Sequence, residues 1–588
     1  MAAFTTRPVI TGTHGMVAAG HYLAAMAGFR ILEQGGNAID AGVAGGFALE
    51  VLKPHSTGLG GETPILIAPA GGWTPAPGQQ PLPVVAVNGQ GWAPRAMTID
   101  YFRQEGIDLI PGDGLLPAMV PGAFGSFATA LQHFGRLPLE EVLAPSIELA
   151  ESGFPVYGDL RDAIATNAAR YLTDWPSSAE VYLIDGQPPA LDHLLRLPAL
   201  AETLKQIAGA AIRARSLGRV AAIQAGIDYF YRGPVAQKLA DFAASHEIID
   251  ASGGKHRGLL TAADFAEYRT KLEAPATIDY RGYTVCKCGP WTQGPVFLQQ
   301  LALLEGYDLG ALGHNSADYI HLVTEASKLA FADRERYYGD PDFVEVPLAR
   351  LLSKEYAASR RGLIDMTSAS LELRPGDAPV IDRFEPGERP ETCRNDTTHL
   401  DVVDAEGNLF AATPSGGWIP SSPVVPSVGF PLGTRGQMFS LDPAHPNALT
   451  PGKRPRTTLT PSLVLRDGRP WLAFGTIGGD QQDQWTLQFF LNVVDHGMDL
   501  QAAIDAPSFH SLHFPTSFYP RDSHPGRIVI EGRVSEETRA ELAARGHEVV
   551  VTDDWINGQV TVVERDERSG LLRGAASPRL QVPYAVGR

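Results

Sequence analysis

Around residue 397 the chain changes from one kind of sequence to another, and that boundary constrains the fold more than any other feature. Leu373-Arg374-Pro375-Gly376-Asp377-Ala378-Pro379 and Glu385-Pro386-Gly387-Glu388-Arg389-Pro390 are charged, proline-rich and short of apolar side chains. Such a segment cannot offset its ordering entropy by burial. A mobile linker is therefore predicted over 366–396, equally suited to the tail of a cleaved fragment and to an ordinary surface connection. Directly after it, Thr397-Thr398-His399-Leu400-Asp401-Val402-Val403-Asp404 reads as a strand. A turn at Ala405-Glu406-Gly407-Asn408 and a return strand, Leu409-Phe410-Ala411-Ala412-Thr413, complete a hairpin. A cut before Thr397 would leave a residue carrying both a hydroxyl nucleophile and, in its α-amine, its own base. A Thr pair in a strand is otherwise only a good β-former, so the reading needs support from elsewhere in the chain.

Before the boundary, helices and strands mix. Helical spacing runs from Ala18 to Gln34 and stops at Gly35-Gly36. Asn37 then caps an Ala- and Gly-rich helix, Ala38 to Leu52, whose small side chains predict close packing. Pro54-His55-Ser56-Thr57-Gly58-Leu59-Gly60-Gly61-Glu62 follows and leads into a strand. Phosphate loops carry Lys-Ser/Thr and precede helices, so a tight turn lining a cleft is the better reading. After the boundary, strands dominate. Ser462–Leu465 and Trp471–Phe474 flank a hairpin signal at Arg466-Asp467-Gly468-Arg469-Pro470. Gly475-Thr476-Ile477-Gly478-Gly479-Asp480 then opens a helix reaching about Val494. Strand, Gly-Gly and helix in succession leave N–H groups at a positive helix end, where a developing oxyanion can be held.

The totals exclude some partners. A formal net charge of -18 argues against nucleic acid and anionic membranes. No apolar run approaches a membrane span, and the first residues lack a signal-peptide core, which predicts a cytoplasmic protein. The three cysteines, Cys286, Cys288 and Cys393, have no second Cys or His pair at metal spacing and read as reduced thiols. Homo-oligomerisation is compatible with the composition.

These signals occur in the order found in one family. The sequence resembles the γ-glutamyltransferases, which are N-terminal-nucleophile hydrolases. The resemblance rests on Gly35-Gly36-Asn37-Ala38-Ile39-Asp40-Ala41, the Pro54–Gly61 stretch, Val120-Pro121-Gly122, Thr397-Thr398-His399 through Asp404, and Gly407-Asn408. It continues through Pro451-Gly452-Lys453-Arg454-Pro455, Gly475–Gly479 and Gly574-Ala575-Ala576-Ser577-Pro578-Arg579. It implies an α+β fold, a four-layer αββα sandwich, built from a zymogen that cuts itself into a large subunit, 1–396, and a small one, 397–588. It implies Thr397 as nucleophile, Ser415 as a supporting hydroxyl with Thr413 as its neighbour, and Gly478 and Gly479 as the oxyanion hole. The substrate would be a small amide, and no cofactor or metal is needed.

The departures concern the acyl pocket. Where the family has an Arg for the substrate α-carboxylate, this chain aligns Gln90. Where an Asp receives the α-amino group, it has Phe439 followed by Ser440, and a family Asn falls at Gly417. A Ser-Ser pair becomes Thr457-Thr458. Arg435 and Arg456 are the candidates to hold a substrate carboxylate, each with a structural ion pair as the alternative. The resulting expectation is an amidohydrolase for a γ-glutamyl-like or short dicarboxylic acyl group. The alternatives are a genuine γ-glutamyltransferase or glutathione hydrolase with an altered pocket, and an unprocessed small-molecule binding protein.

Overall fold

The computed structural model describes residues 4–76, 78–379, 396–580 and 582–588. Two antiparallel sheets carry the fold. In chain order their strands are β1 (Ile10–Gly12), β2 (Gly15–Ala19), β3 (Ile65–Ala68), β4 (Val85–Asn88), β5 (Lys271–Glu273), β6 (Ala276–Tyr280) and β7 (Tyr283–Lys287). Past the boundary come β8 (Leu400–Asp404), β9 (Leu409–Ala412), β10 (Ser462–Arg466), β11 (Arg469–Gly475), β12 (Thr561–Arg565), β13 (Leu572–Ala576) and β14 (Tyr584–Gly587). One seven-stranded sheet runs β1-β13-β12-β11-β10-β7-β6, the other β14-β2-β8-β9-β3-β4-β5.

Alternation along each strand sorts side chains between layers. Val403, Leu409, Ala411, Leu66, Ala473 and Val563 meet between the sheets. Leu400, Val402, Phe410 and Ala412 point the other way, onto helices Tyr22–Glu33 and Ala38–Leu52. On the far side Val464, Leu472 and Phe474 pack against helices Gly294–Leu304 and Gln482–Val494. The order is helix, sheet, sheet, helix, the αββα sandwich that the resemblance implied. Cys286 and Cys288 are buried free thiols in the inter-sheet core.

Both sheets interleave strands from the two sides of residue 397. β8 and β9 lie between β2 and β3, and β14 flanks β2 on the outside. The two segments therefore form a single folding unit, and a cut at the boundary would leave every ladder intact. Two expectations need correction. Ala18 and Ala19 belong to β2, paired with Asp401 and Leu400, and the helix begins only at Tyr22. The start of the expected linker is anchored: Leu373 is buried, Gly376 donates to the Asp333 carboxylate at 2.8 Å, and Ala369 donates to the Arg545 carbonyl at 2.8 Å. One well-placed leucine and two backbone bonds outweigh the polar composition there. The rest of that segment, 380–395 with Cys393, lies outside the described residues.

The fold buries several histidines deeply enough to depress their basicity. Burial pushes His510, His513 and His547 each down to about 3. A base depressed in the folded state contributes stability that is complete above its unfolded pKa, about 6.5, and is lost as pH falls toward 3. At pH 5 the loss is about 2 kcal/mol for each. Buried carboxyls work in the opposite direction: burial pushes Asp483 up to about 6 and raises Glu50, Glu62, Asp333 and Asp401. Burial also depresses His21, His55, His314 and His445, and histidines, unlike carboxyls, have their unfolded pKa inside this window, so the urea midpoint should fall between pH 7 and 5. A flat profile would show that the histidines do not dominate the pH dependence.

Candidate active site

Thr397 sits just ahead of β8, and its backbone bridges antiparallel to Ser415, just beyond β9. Facing residues on adjacent antiparallel strands point to the same side. Thr397 Oγ1 accordingly lies 3.1 Å from Ser415 Oγ. The Ser415 hydroxyl donates to the Asp396 carbonyl oxygen at 2.6 Å, polarising the peptide bond that joins Asp396 to Thr397. The Thr397 hydroxyl also reaches Asp396 Oδ1 at 3.2 Å.

Behind Ser415 stands Arg435, on the short turn Arg435–Met438. Its Nη2 donates to Ser415 Oγ at 2.6 Å, and its Nε pairs with Glu62. The guanidinium is 2% exposed and lies over the Trp418 and Phe518 rings. Its Nη1 has no hydrogen-bond partner among the described residues. Glu62 and Ser415 exchange backbone hydrogen bonds of 2.9 and 3.0 Å. Burial raises the Glu62 carboxyl above its usual range, against the pull of Arg435 and with a push from Asp396. The glycines before Glu62 serve close approach. A Cβ on Gly61 would fall 2.1 Å from the Ser415 carbonyl oxygen.

The turn after β11 supplies the opposite wall. Gly478 and Gly479 adopt φ of 105° and 53°, and a Cβ on Gly478 would fall 2.2 Å from the Trp485 ring, so only glycine fits there. Asp480 fixes the turn. It accepts from Arg334, from Ser517 N at 2.8 Å and Oγ at 2.7 Å, and from Thr516 Oγ1 at 3.0 Å. Gln293 Nε2 donates to the Gly479 carbonyl at 3.3 Å. The turn faces a cavity of about 570 Å³ whose wall includes Asp396, Gly478, Gly479, Trp485, Phe518 and Tyr519. Asp396 lines the cavity whereas Thr397 and Ser415 do not, so Asp396 stands between the cavity and Thr397.

The other predicted residues divide. Thr413 is turned away from Thr397: its Oγ1 bonds His399 Nδ1 at 2.8 Å, His399 Nε2 bonds Asp401 at 2.8 Å, and Asp401 accepts from Thr561 at 2.8 Å. Residues two apart on a strand share a face, but Thr413 pairs with His399 instead of Thr397. Arg456 is not available to a substrate. Its Nη2 pairs with Glu335 at 2.8 Å and its Nη1 donates to the Arg334 carbonyl at 2.9 Å. Ser440 lines a separate open depression with Arg103, Asp108 and Arg521, and its Oγ accepts from Asp442 N at 3.1 Å. Thr457 Oγ1 accepts from Leu459 N at 3.4 Å. Gln90 is buried with both amide atoms unpartnered, and the Thr458 hydroxyl is likewise unpartnered, among the described residues.

Sequence reasoning missed Glu62, Asp396, Trp418 and Phe518. Glu62 closes the Gly-rich stretch and Asp396 directly precedes Thr397, so position alone could have flagged both. The aromatic residues carry no local signal. Among the described residues, His321, Glu325 and His547 have ligand atoms within 4.8 Å of one another, as a metal would need. Lys328 already holds Glu325 at 2.6 Å, and the Asp365 carbonyl holds His321 at 2.8 Å.

Known proteins share the whole architecture. A family model described as gamma-glutamyltranspeptidase matches residues 24–586. A glutathione hydrolase-like YwrD proenzyme of Bacillus subtilis (strain 168) is 33% identical over 577 residues, 97% of this chain and 98% of that one. The solved structure of LmbA2991HD covers 100% of both chains at 48% identity, with a TM-score of 0.93. A cephalosporin acylase from Bacillus halodurans covers 100% of this chain and 98% of its own at 31% identity, with a TM-score of 0.81.

Proposed function

The chain belongs to the γ-glutamyltranspeptidase family of self-processing N-terminal-nucleophile hydrolases, and on that premise we propose that it cuts itself before Thr397 and then hydrolyses amides of short carboxyl-bearing acids. The observation that carries this reading is the contact set at the boundary: Ser415 Oγ lies 3.1 Å from Thr397 Oγ1 and 2.6 Å from the Asp396 carbonyl oxygen, with Arg435 behind it. After the cut, the Thr397 α-amine takes the proton from its own hydroxyl, and the oxygen attacks the substrate amide carbon. The N–H groups of the Gly478–Gly479 turn receive the developing oxyanion. The amine leaves, and water resolves the acyl-threonine. None of these steps calls for a metal or an organic cofactor.

The acyl pocket argues against a γ-glutamyl group. Gln90 offers no charge to an α-carboxylate. Phe439 is fully buried in an apolar cluster with Ala93, Met97 and Phe102, so that position offers no acid to an α-ammonium. Losing two charge-assisted contacts costs about 3 kcal/mol or more, which is about a hundredfold in kcat/KM. The unpartnered Arg435 Nη1 instead favours an acyl carboxylate placed close to the reacting carbon. The likeness to a cephalosporin acylase as well as to a glutathione hydrolase-like proenzyme is consistent with such a shift.

Two measurements test the reading. Intact mass of the purified protein should give two fragments meeting between Asp396 and Thr397. The processed enzyme should release p-nitroaniline from succinyl or glutaryl p-nitroanilide about a hundredfold faster than from the γ-glutamyl anilide. A γ-glutamyl anilide turned over faster, and accelerated further by a dipeptide acceptor, would instead select the genuine transferase. A chain that stays whole for days would select the binding protein.

A further inference from the structure

We propose that Asp396, the residue on the acyl side of the cut, is the general base for its own release. The inference rests on the self-processing reading above. The α-amine that serves as base in the mature enzyme is tied up in the Asp396–Thr397 peptide bond until the cut is made, so the first attack needs a different proton acceptor. The Asp396 carboxylate is in place. Its Oδ1 lies 3.2 Å from Thr397 Oγ1, within the reach a general base needs. Its Oδ2 lies against the Gly478–Gly479 turn, 3.6 Å from where a Cβ of Gly479 would be. Asp396 is 8% exposed, so bulk water does not compete freely for the proton. Two other polar groups near the bond are otherwise engaged. Ser415 directs its own hydrogen to the Asp396 carbonyl, and Glu62 is held by Arg435.

The steps balance. The Thr397 hydroxyl proton passes to the Asp396 carboxylate as the Oγ1–C bond to the Asp396 carbonyl carbon forms. The carbonyl electrons move onto oxygen, where the Ser415 hydroxyl, itself accepting from Arg435 Nη2, receives the charge. The intermediate collapses with cleavage of the C–N bond, and the Asp396 carboxyl returns the proton to the leaving nitrogen. The product is an ester between Asp396 and Thr397 with a free α-amine. Water then hydrolyses the ester, giving the Asp396 α-carboxylate and restoring the Thr397 hydroxyl. Asp396 thus acts on the cut, while its release clears the cavity entrance.

The test follows self-cleavage of freshly purified full-length chain by intact mass, in wild type, Asp396→Asn, Asp396→Glu and Asp396→Ala, the last with and without sodium formate. A positioned general base contributes about 10²–10⁴-fold. Asp396→Asn should therefore cleave at least about a hundredfold more slowly, and Asp396→Glu should stay within about tenfold of wild type. Formate should restore part of the rate to Asp396→Ala, which a merely structural role would not allow. Asp396→Asn cleaving within about threefold of wild type would overturn the proposal. So would equal slowing in the Asn and Glu variants with no formate rescue. A wild-type chain that never cleaves would instead defeat the self-processing reading itself.

Discussion

Thr397→Ala should purify as one uncut chain of 63.0 kDa, folded as well as wild type and without amidase activity. The substitution removes the hydroxyl proposed to attack the Asp396 carbonyl. It leaves the Ser415–Asp396 and Ser415–Arg435 hydrogen bonds in place. The folding cost is one buried hydroxyl with a remaining network to close around it, about 1 kcal/mol. The chemical cost is the nucleophile and, through failed processing, the α-amine base. Groups that act as a unit lose activity together, on the order of 10⁴–10⁶-fold. Thr397→Ser keeps the hydroxyl but loses the methyl that restricts χ1, so slow processing and reduced turnover are expected there. Intact mass, thermal melting and anilide hydrolysis on the three proteins separate these effects. Cleavage of the Ala variant at the same bond would remove Thr397 from the chemistry.

The parts of this molecule legible in its sequence are those whose cause is local. The β8–β9 hairpin follows from alternation around a Gly407 turn at φ of 92°. Asn37 was readable as a cap because its partners, Ile39 N and Asp40 N, lie two and three residues on. The turn at Gly478–Gly479 was readable for the same reason. Ala18 and Ala19 show the limit. Their own composition favours helix, and only pairing with Leu400 and Asp401 on one side and Tyr584 and Ala585 on the other makes them a strand. Side-chain commitments were hidden in the same way. Arg435 and Arg456 look alike in sequence. Glu335, distant in the chain, claims one, and Glu62 with Ser415 holds the other while its Nη1 has no partner among the described residues. Only the folded chain shows which arginine stands beside Ser415.

That difference makes Arg435 the most consequential single cation in the site. Arg435→Met should destabilise the fold by about 3–5 kcal/mol, because it strands the buried Glu62 carboxylate. The carboxyl, already raised by burial, would rise further without its partner. A carboxyl whose folded pKa lies above its unfolded value is stabilising while protonated and loses that contribution as pH rises through the folded value. The variant should therefore lose stability as pH climbs from about 5 to 8, on the side where its Glu62 would have to ionise. Adding Glu62→Gln removes the stranded charge and should recover most of the stability and flatten that dependence. It should not recover function. Ser415 would still lack the donor that directs its hydrogen to the Asp396 carbonyl, and a carboxyl-bearing acyl group would still lack its counter-charge. Processing should slow and KM for succinyl anilide should rise by at least tenfold in both variants, about 1.4 kcal/mol. Arg435→Lys, which keeps the charge but not the planar fork, should fall between them and wild type. Urea melts at several pH values, read beside processing rates and KM, separate the two roles. Wild-type KM for a carboxylic amide in the double variant would show that Arg435 serves Glu62 and Ser415 alone, and that the acyl carboxylate is held elsewhere.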